Sequence, residues 1–237
     1  KVIELKKLLI DENRRQKKWL MKNLLDPNSG VRLPGFSGKW KESTLDEICT
    51  IVGGGTPDTK KTDYWNGDIP WISSSDIAQD KTHVVNATRY ITKEALVNSA
   101  TQICPKDTIL VVSRVGVGKI AIAPFQLCTS QDFTNLTDVR ENVYFTAMLL
   151  TQAIEKKMKY SQGTSIKGIT VKEIKSIVLQ FPSLDEQTAI ANVLSTADRE
   201  IDWLEKELEQ WQAKKKSLMQ LLLTGLVRVS VQLYGRR

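Results

Sequence analysis

SLDEQTAIANVLSTADREIDWLEKELEQWQAKKKSLMQLLLT, residues 183 to 224, decides how this chain is built. Ile190, Leu194, Ala197, Ile201, Leu204, Leu208, Trp211, Lys215, Leu218 and Leu222 recur in it at alternating steps of four and three. That spacing is a heptad seam, and roughly four to five heptads of it predict a coiled-coil helix rather than an ordinary surface helix. Behind Pro182, the run Ser183-Leu184-Asp185-Glu186 supplies a cap and an acidic first turn, and Gly225 supplies the stop. At about 1.5 Å per residue the helix spans on the order of 55 Å. It must protrude or pair with another helix.

Residues 1 to 25 predict a second helix, rich in Leu, Lys and Arg and ended by Asp26-Pro27-Asn28-Ser29-Gly30. Its last turns, Lys17 to Leu25, echo Lys215 to Leu223, an internal repeat at an offset of 198 residues. Carried back by that offset, the seam falls on Ile3, Lys6, Ile10, Asn13, Lys17, Leu20 and Leu24, with polar positions that weaken packing and help fix register. This helix carries eight basic against three acidic residues, and residues 184 to 225 carry five against eight. The two are complementary in charge. Pairing between them, within a chain or between chains, is the expected use, with Ile3, Ile10, Leu20, Leu24, Ile190, Leu194, Ile201, Leu204, Leu208, Trp211, Leu218 and Leu222 as the interface. The plainer alternative is a solvated charged helix lying on the globular part.

The 237 residues allow one sizeable globular domain plus an extension. No apolar run is long enough to cross a membrane and no signal-peptide core opens the chain, so a cytoplasmic protein is expected. Lys1 in place of methionine points to a fragment or a trimmed product. Cys49, Cys104 and Cys128 are odd in number and set among apolar residues, as buried reduced thiols are. His83 is the only histidine, and alone it builds neither a metal site nor a Ser-His-Asp triad. The net charge of +7 points to a polyanionic partner, yet residues 41 to 183 carry 16 basic against 15 acidic side chains. A nucleic acid would have to meet one local face of that region.

Residues 26 to 40, with Pro27, Gly30, Pro34, Gly35 and Gly38, read as a linker. From 41 to 183, short β-rich runs broken by Gly, Pro and Asp predict an irregular α+β domain. Thr108–Ser113 and Ile120–Pro124 flank Arg114-Val115-Gly116-Val117-Gly118-Lys119, the pattern of two strands joined by a glycine turn. Helices are expected over Asn142–Met158 and Val171–Ile177, a loop over Gly163–Gly168, and a strand over Val178–Phe181. Trp65 and Trp71 read as core. Residues 226 to 237 form a tail.

The catalytic motifs fail one by one. A phosphate loop ending at Gly118-Lys119 needs glycine at 113 and Ser or Thr at 120, where this chain has Ser113 and Ile120. Gly53-Gly54-Gly55 lacks the flanking strand and helix of a dinucleotide site and reads as a turn, one suited to lie close to a ligand backbone. Asp58 with Lys60 has no second carboxylate on an adjoining strand to complete a Mg²⁺ site. No Asn-Pro-Pro-aromatic segment or glycine-rich methyl-donor loop is present. The expectation is therefore no catalytic residue, no metal and no cofactor. What remains is a set of hydrogen-bonding loop residues near glycines: Ser73, Ser74 and Ser75, Arg114 and Lys119, Ser130, Gln131 and Asp132, and Gln162, Thr164, Ser165 and Lys167. Arg forks onto guanine, Gln onto adenine, and Ser or Thr serves base or phosphate. Ser73, Ser74, Ser75, Arg114, Lys119, Ser130, Gln131, Thr164 and Lys167 form the candidate DNA-binding set, although each alone also fits ordinary surface.

Several segments together resemble the target recognition domain of the specificity subunits of Type I restriction-modification systems. They are Gly54-Gly55-Thr56-Pro57 followed by Tyr64-Trp65-Asn66-Gly67-Asp68-Ile69-Pro70-Trp71-Ile72, then Asp107 to Arg114, then Gly163 to Ile169. Pro182 to Gln187 and the helix ending Leu222-Leu223-Thr224-Gly225 resemble that family's spacer. The resemblance implies a non-catalytic subunit that reads double-stranded DNA and on which methyltransferase and restriction subunits assemble. Such a subunit carries two recognition domains, whereas this chain has one. It is thus similar to a half-subunit, either pairing with a second copy or another half or being part of a longer chain. Readings from other classes are a catalytic nuclease or methyltransferase domain, and a helix-mediated assembly protein without DNA specificity.

Overall fold

The computed structural model describes residues 1–78, 81–83, 85–160 and 168–228. Helix α1 (Val2–Leu24) leads through the linker to β1 (Lys41–Thr44), α2 (Leu45–Ile48), β2 (Thr50–Gly53) and β3 (Ile69–Ile72). Then come β4 (Arg89–Ile91), α3 (Lys93–Val97), β5 (Ile103–Cys104), β6 (Ile109–Val112), β7 (Ile120–Ile122), β8 (Leu127–Thr129) and β9 (Phe133–Thr137). Helices α4 (Val143–Tyr160) and α5 (Val171–Lys175), strand β10 (Val178–Phe181) and helix α6 (Leu184–Leu223) complete the order. The fold is α+β with a long helix at each end. The chain divides into two compact units, residues 23–192 and residues 1–22 with those from 193 onward.

In the larger unit, two four-stranded sheets run β2-β9-β6-β7 and β4-β3-β8-β5, and β1 pairs antiparallel with β10. Every pairing is antiparallel except β3 with β8. Leu110, Val112, Ala121 and Phe133 of the first sheet form one buried cluster with Ile72 and Leu127 of the second. The sheets thus share a core. Because side chains alternate across a strand, Trp71 and Cys128 point the other way, into a second cluster with Tyr64, Ile91 and Ala95. Strands β6, β7, β8 and β9 are buried along their whole length, which is why β6 and β7 read as continuous apolar runs rather than alternating ones, while the polar Asn135 of β9 is buried with its amide bonded to Thr129 Oγ1 at 2.8 Å.

The expected hairpin is β6–β7, paired Ile109 with Ile122 through Val111 with Ile120. The short helix before β10 starts where Thr170 accepts from the Glu173 amide while the Glu173 carboxylate accepts from the Thr170 amide at 2.8 Å. The Lys157 ammonium and those Thr170 bonds hold the Glu173 carboxyl down at about 2. Its stabilising effect is therefore complete above the ordinary Glu range and is lost as pH falls toward 2.

The start of α6 is tied into this unit by buried polar groups. Gln187, fully buried, donates to Glu141 at 2.6 Å and to the Pro182 carbonyl at 3.0 Å, and accepts from the Asn142 amide at 3.0 Å. Glu186 is 1% exposed, and Arg32 from the linker forks onto both of its oxygens at 2.7 and 2.6 Å. The linker is thus clamped to the first turn of α6.

In the smaller unit, α1 and the part of α6 beyond Asn192 run antiparallel. Lys6 pairs with Glu207 at 2.7 Å, Arg14 with Glu205 at 2.6 Å, and Lys17 with Asp198, so the partner number falls as the residue number rises. Along α1, Ile10 and Leu24 are buried and Ile3, Lys6, Asn13, Lys17 and Leu20 half-buried, whereas Leu5, Leu8 and Leu9 are exposed. Along α6, Ile190, Leu194, Ile201 and Leu204 are buried and Leu208 is half-buried. Beyond it Trp211, Leu218 and Leu222 are exposed, at 36%, 49% and 45%.

Removing Arg32 leaves a carboxylate buried without its counter-charge. Arg32→Ala is expected to lower the urea midpoint of unfolding, because breaking a pair by removing one partner leaves the other charge uncompensated, and adding Glu186→Leu should recover most of it. A single variant as stable as the wild type would count against the clamp.

Candidate nucleic-acid interface

The turn between β6 and β7 is held from several sides. Gly116 and Gly118 sit in the left-handed region at φ +82° and +96°, where glycine is favoured. A Cβ on Gly118 would also lie 2.8 Å from the Met158 sulfur, so the turn rests on α4. Lys119 donates from Nζ to the carbonyls of Ser74 at 3.0 Å and Ile77 at 3.1 Å. Lys119 therefore latches the hairpin to the segment after β3.

That segment is itself braced. The Ser73 amide and hydroxyl donate to Asp76 at 2.7 and 2.9 Å, and Ser73 shares a 2.8 Å hydroxyl contact with Ser75. Arg89 donates to Ser73 Oγ at 2.6 Å and to Asp76 Oδ2 at 2.9 Å, with its guanidinium 4.4 Å over the Trp71 ring. Burial pushes the Asp76 carboxyl up, but the Ser73 amide, Arg89 and the Ser73 hydroxyl together outweigh it and hold the group below the usual carboxylate range. The brace is complete above that range and loosens as Asp76 takes up a proton in acid.

The remaining segments meet at Ser113. Its amide donates to the Asp132 carbonyl at 2.8 Å, as does that of Arg114 at 3.3 Å, and its carbonyl accepts from the Ile169 amide at 2.8 Å. The Ser113 hydroxyl donates to the Asp132 carbonyl at 3.2 Å and accepts from Thr134 at 3.0 Å. Ser130, buried, donates its amide to the Ile72 carbonyl at 2.8 Å, which joins this junction to the end of β3. Segments 73–77, 113–119, 130–132 and 168–169 therefore form one surface.

The side chains of the candidate set divide there into two kinds. Ser73, Ser130 and Lys119 spend their hydrogen bonds inside the fold, and Ser75 is bonded to Ser73. Ser74 is half-buried, while Arg114 and Gln131 are exposed. Thr164 and Lys167, with Gln162 and Ser165, lie outside the described residues. Sequence reasoning missed Arg89 and the bracing role of Asp76. The Ser73-to-Asp76 spacing of a capping box was the available signal for Asp76, and none marked Arg89.

Two expectations take a different form. The close approach at Gly54 and Gly55 is to the chain itself: a Cβ on Gly54 would collide with the Ser130 carbonyl, and one on Gly55 with the Ala100–Thr101 backbone. Asp58 caps its own loop, accepting from the Lys60 amide at 2.9 Å. Cys49, Cys104 and Cys128 are free thiols, pushed up by burial to about 11, 12 and 11. Among the described residues no three His, Cys, Asp or Glu side chains are grouped to hold a metal, and no helix is long and apolar enough to cross a membrane.

Residues 37–211 match the model of the Type I restriction modification DNA specificity domain. The chain belongs to that family. It is 35% identical over 191 residues to the Type I restriction enzyme MjaIX specificity subunit of Methanocaldococcus jannaschii, covering 77% of this chain and 42% of that protein. Against the EcoR124I/EcoR124II specificity subunit of Escherichia coli it is 30% identical over 193 residues, covering 73% of this chain and 46% of the other. The HsdS subunit from Thermoanaerobacter tengcongensis shares the fold with a TM-score of 0.61 at 19% identity, over 94% of this chain and 53% of that one. The S subunit from M. genitalium gives 0.63 at 19%, over 91% and 55%. The chain thus spans about half the length of these relatives.

In this specificity domain the Lys119 latch predicts a local effect. Lys119→Met should speed amide exchange at Asp76 and Asn86, which bond to the Ser73 and Asp76 carbonyls, while leaving the β6–β9 amides unchanged. Uniformly unchanged exchange would show that the latch holds nothing.

Proposed function

We propose that this chain is a sequence-reading element of a Type I restriction-modification complex, binding duplex DNA through the surface around Ser113. The observation that carries the reading is the convergence of four loop segments on one edge of a specificity-family domain, with Arg114 and Gln131 exposed upon it. Arg and Gln are the side chains whose geometry suits guanine and adenine edges. In this reading the chain is non-catalytic and holds no cofactor or metal. It acts in the cytoplasm by directing methyltransferase and restriction subunits to a split site. The even charge of residues 41 to 183, 16 basic against 15 acidic, fits a complex in which methyltransferase subunits supply much of the phosphate contact.

One recognition domain reads half of such a site. A homodimer, or pairing with another half-subunit, supplies the second half, and two-fold symmetry in the protein then calls for a palindromic split sequence. The helix pair sets the distance between the two reading surfaces.

Mapping methylated positions in a complex reconstituted with methyltransferase subunits tests the reading. Arg114→Ala and Gln131→Ala should each relax one position of the sequence, at a cost of about tenfold in discrimination. An unchanged sequence in both variants would favour an assembly role without DNA specificity. Inserting four residues beside Glu205 should lengthen the gap between half-sites, and light scattering should give the mass of a dimer. An unaltered gap would remove the spacer role.

A further inference from the structure

At the tip of the β6–β7 hairpin, Val115 exposes 66% of its surface beside the exposed Arg114. Single exposed aliphatics are common and by themselves mean little. This one stands on a turn held by Gly118 against Met158, by the Lys119 latch and by the Ser113–Asp132 junction. Its own side chain supports none of those contacts. Arg114 has no ion pair or side-chain hydrogen bond among the described residues. The tip is therefore a fixed projection that offers a guanidinium and a stiff, β-branched aliphatic group side by side.

We infer that Val115 packs against the C5-methyl group of a thymine next to the base that Arg114 contacts, and so fixes one base pair of the recognised sequence. The inference rests on the DNA-reading role proposed above. The strands of the hairpin are buried in the sheet, so the exposed turn at Arg114–Gly116 is what meets the major groove, about 12 Å wide, where thymine is the base that shows a methyl group. A valine held rigidly in that groove loses little freedom on contact and gains by covering the methyl. The minor groove offers no such group, so the pairing also commits the hairpin to the major groove.

The test starts from a randomised duplex library enriched on the full chain, alone and with methyltransferase subunits. Each thymine of the enriched sequence is then replaced by deoxyuridine, which lacks only the methyl. One replacement should weaken binding about fourfold, the effect of one buried methyl-sized group. Val115→Ser should bind the thymine and deoxyuridine duplexes equally, while keeping its discrimination at the base Arg114 reads. Sensitivity at no thymine, or sensitivity that persists in Val115→Ser, overturns the inference and leaves DNA reading intact. Enrichment of no sequence in either setting overturns both.

Discussion

The surface rests on how the main chain of Ser113 is satisfied. Its amide is spent on Asp132 and its carbonyl on Ile169, so two other segments of the chain are fixed to one residue at the end of a fully buried strand. A buried main-chain group must find a partner, and here that demand is met by loops rather than by a further strand. The loops therefore inherit the rigidity of the sheet beneath them. A reading surface needs this property, because a side chain discriminates bases only when its position is set before contact.

Polar residues near such a surface then divide by what they support. Lys119 carries the charge expected of a phosphate contact, yet its ammonium satisfies two carbonyls of a neighbouring segment. Arg89 and Asp76 neutralise one another and brace the same segment. Positive charge is in this way consumed in building shape. The outcome accords with a region whose 16 basic and 15 acidic residues leave almost no net field.

The legible parts of the fold were those with a period or a punctuated pattern. The heptad spacing announced α6, the glycine turn announced the β6–β7 hairpin, and Val178–Phe181 appeared as β10. Strand order was not legible, because strands of two to five residues, such as β5 and β9, carry too little pattern to specify partners. The parallel pairing of β3 with β8 joins residues more than fifty positions apart. For the candidate site, the sequence names residue types near glycines, but whether a Ser or Lys faces outward depends on long-range carbonyls that no local motif reveals.

The helix pair shows the same exchange of stability for definition. Lys6 and Lys17 occupy seam positions where leucine would bury more apolar surface, and both reach acidic residues on α6 with side chains only 18% and 12% exposed. Partly buried ion pairs of this kind contribute little net stability against an apolar replacement, yet a shifted register would leave each charge without its counterpart. Asn13 adds no such bond between helices, since its amide is spent on the Leu9 carbonyl in its own helix. Register is therefore set by the two lysines together with Arg14, which reaches Glu205 at 2.6 Å. A helix pair fixed in register, rather than merely held together, is what the proposed spacer role requires.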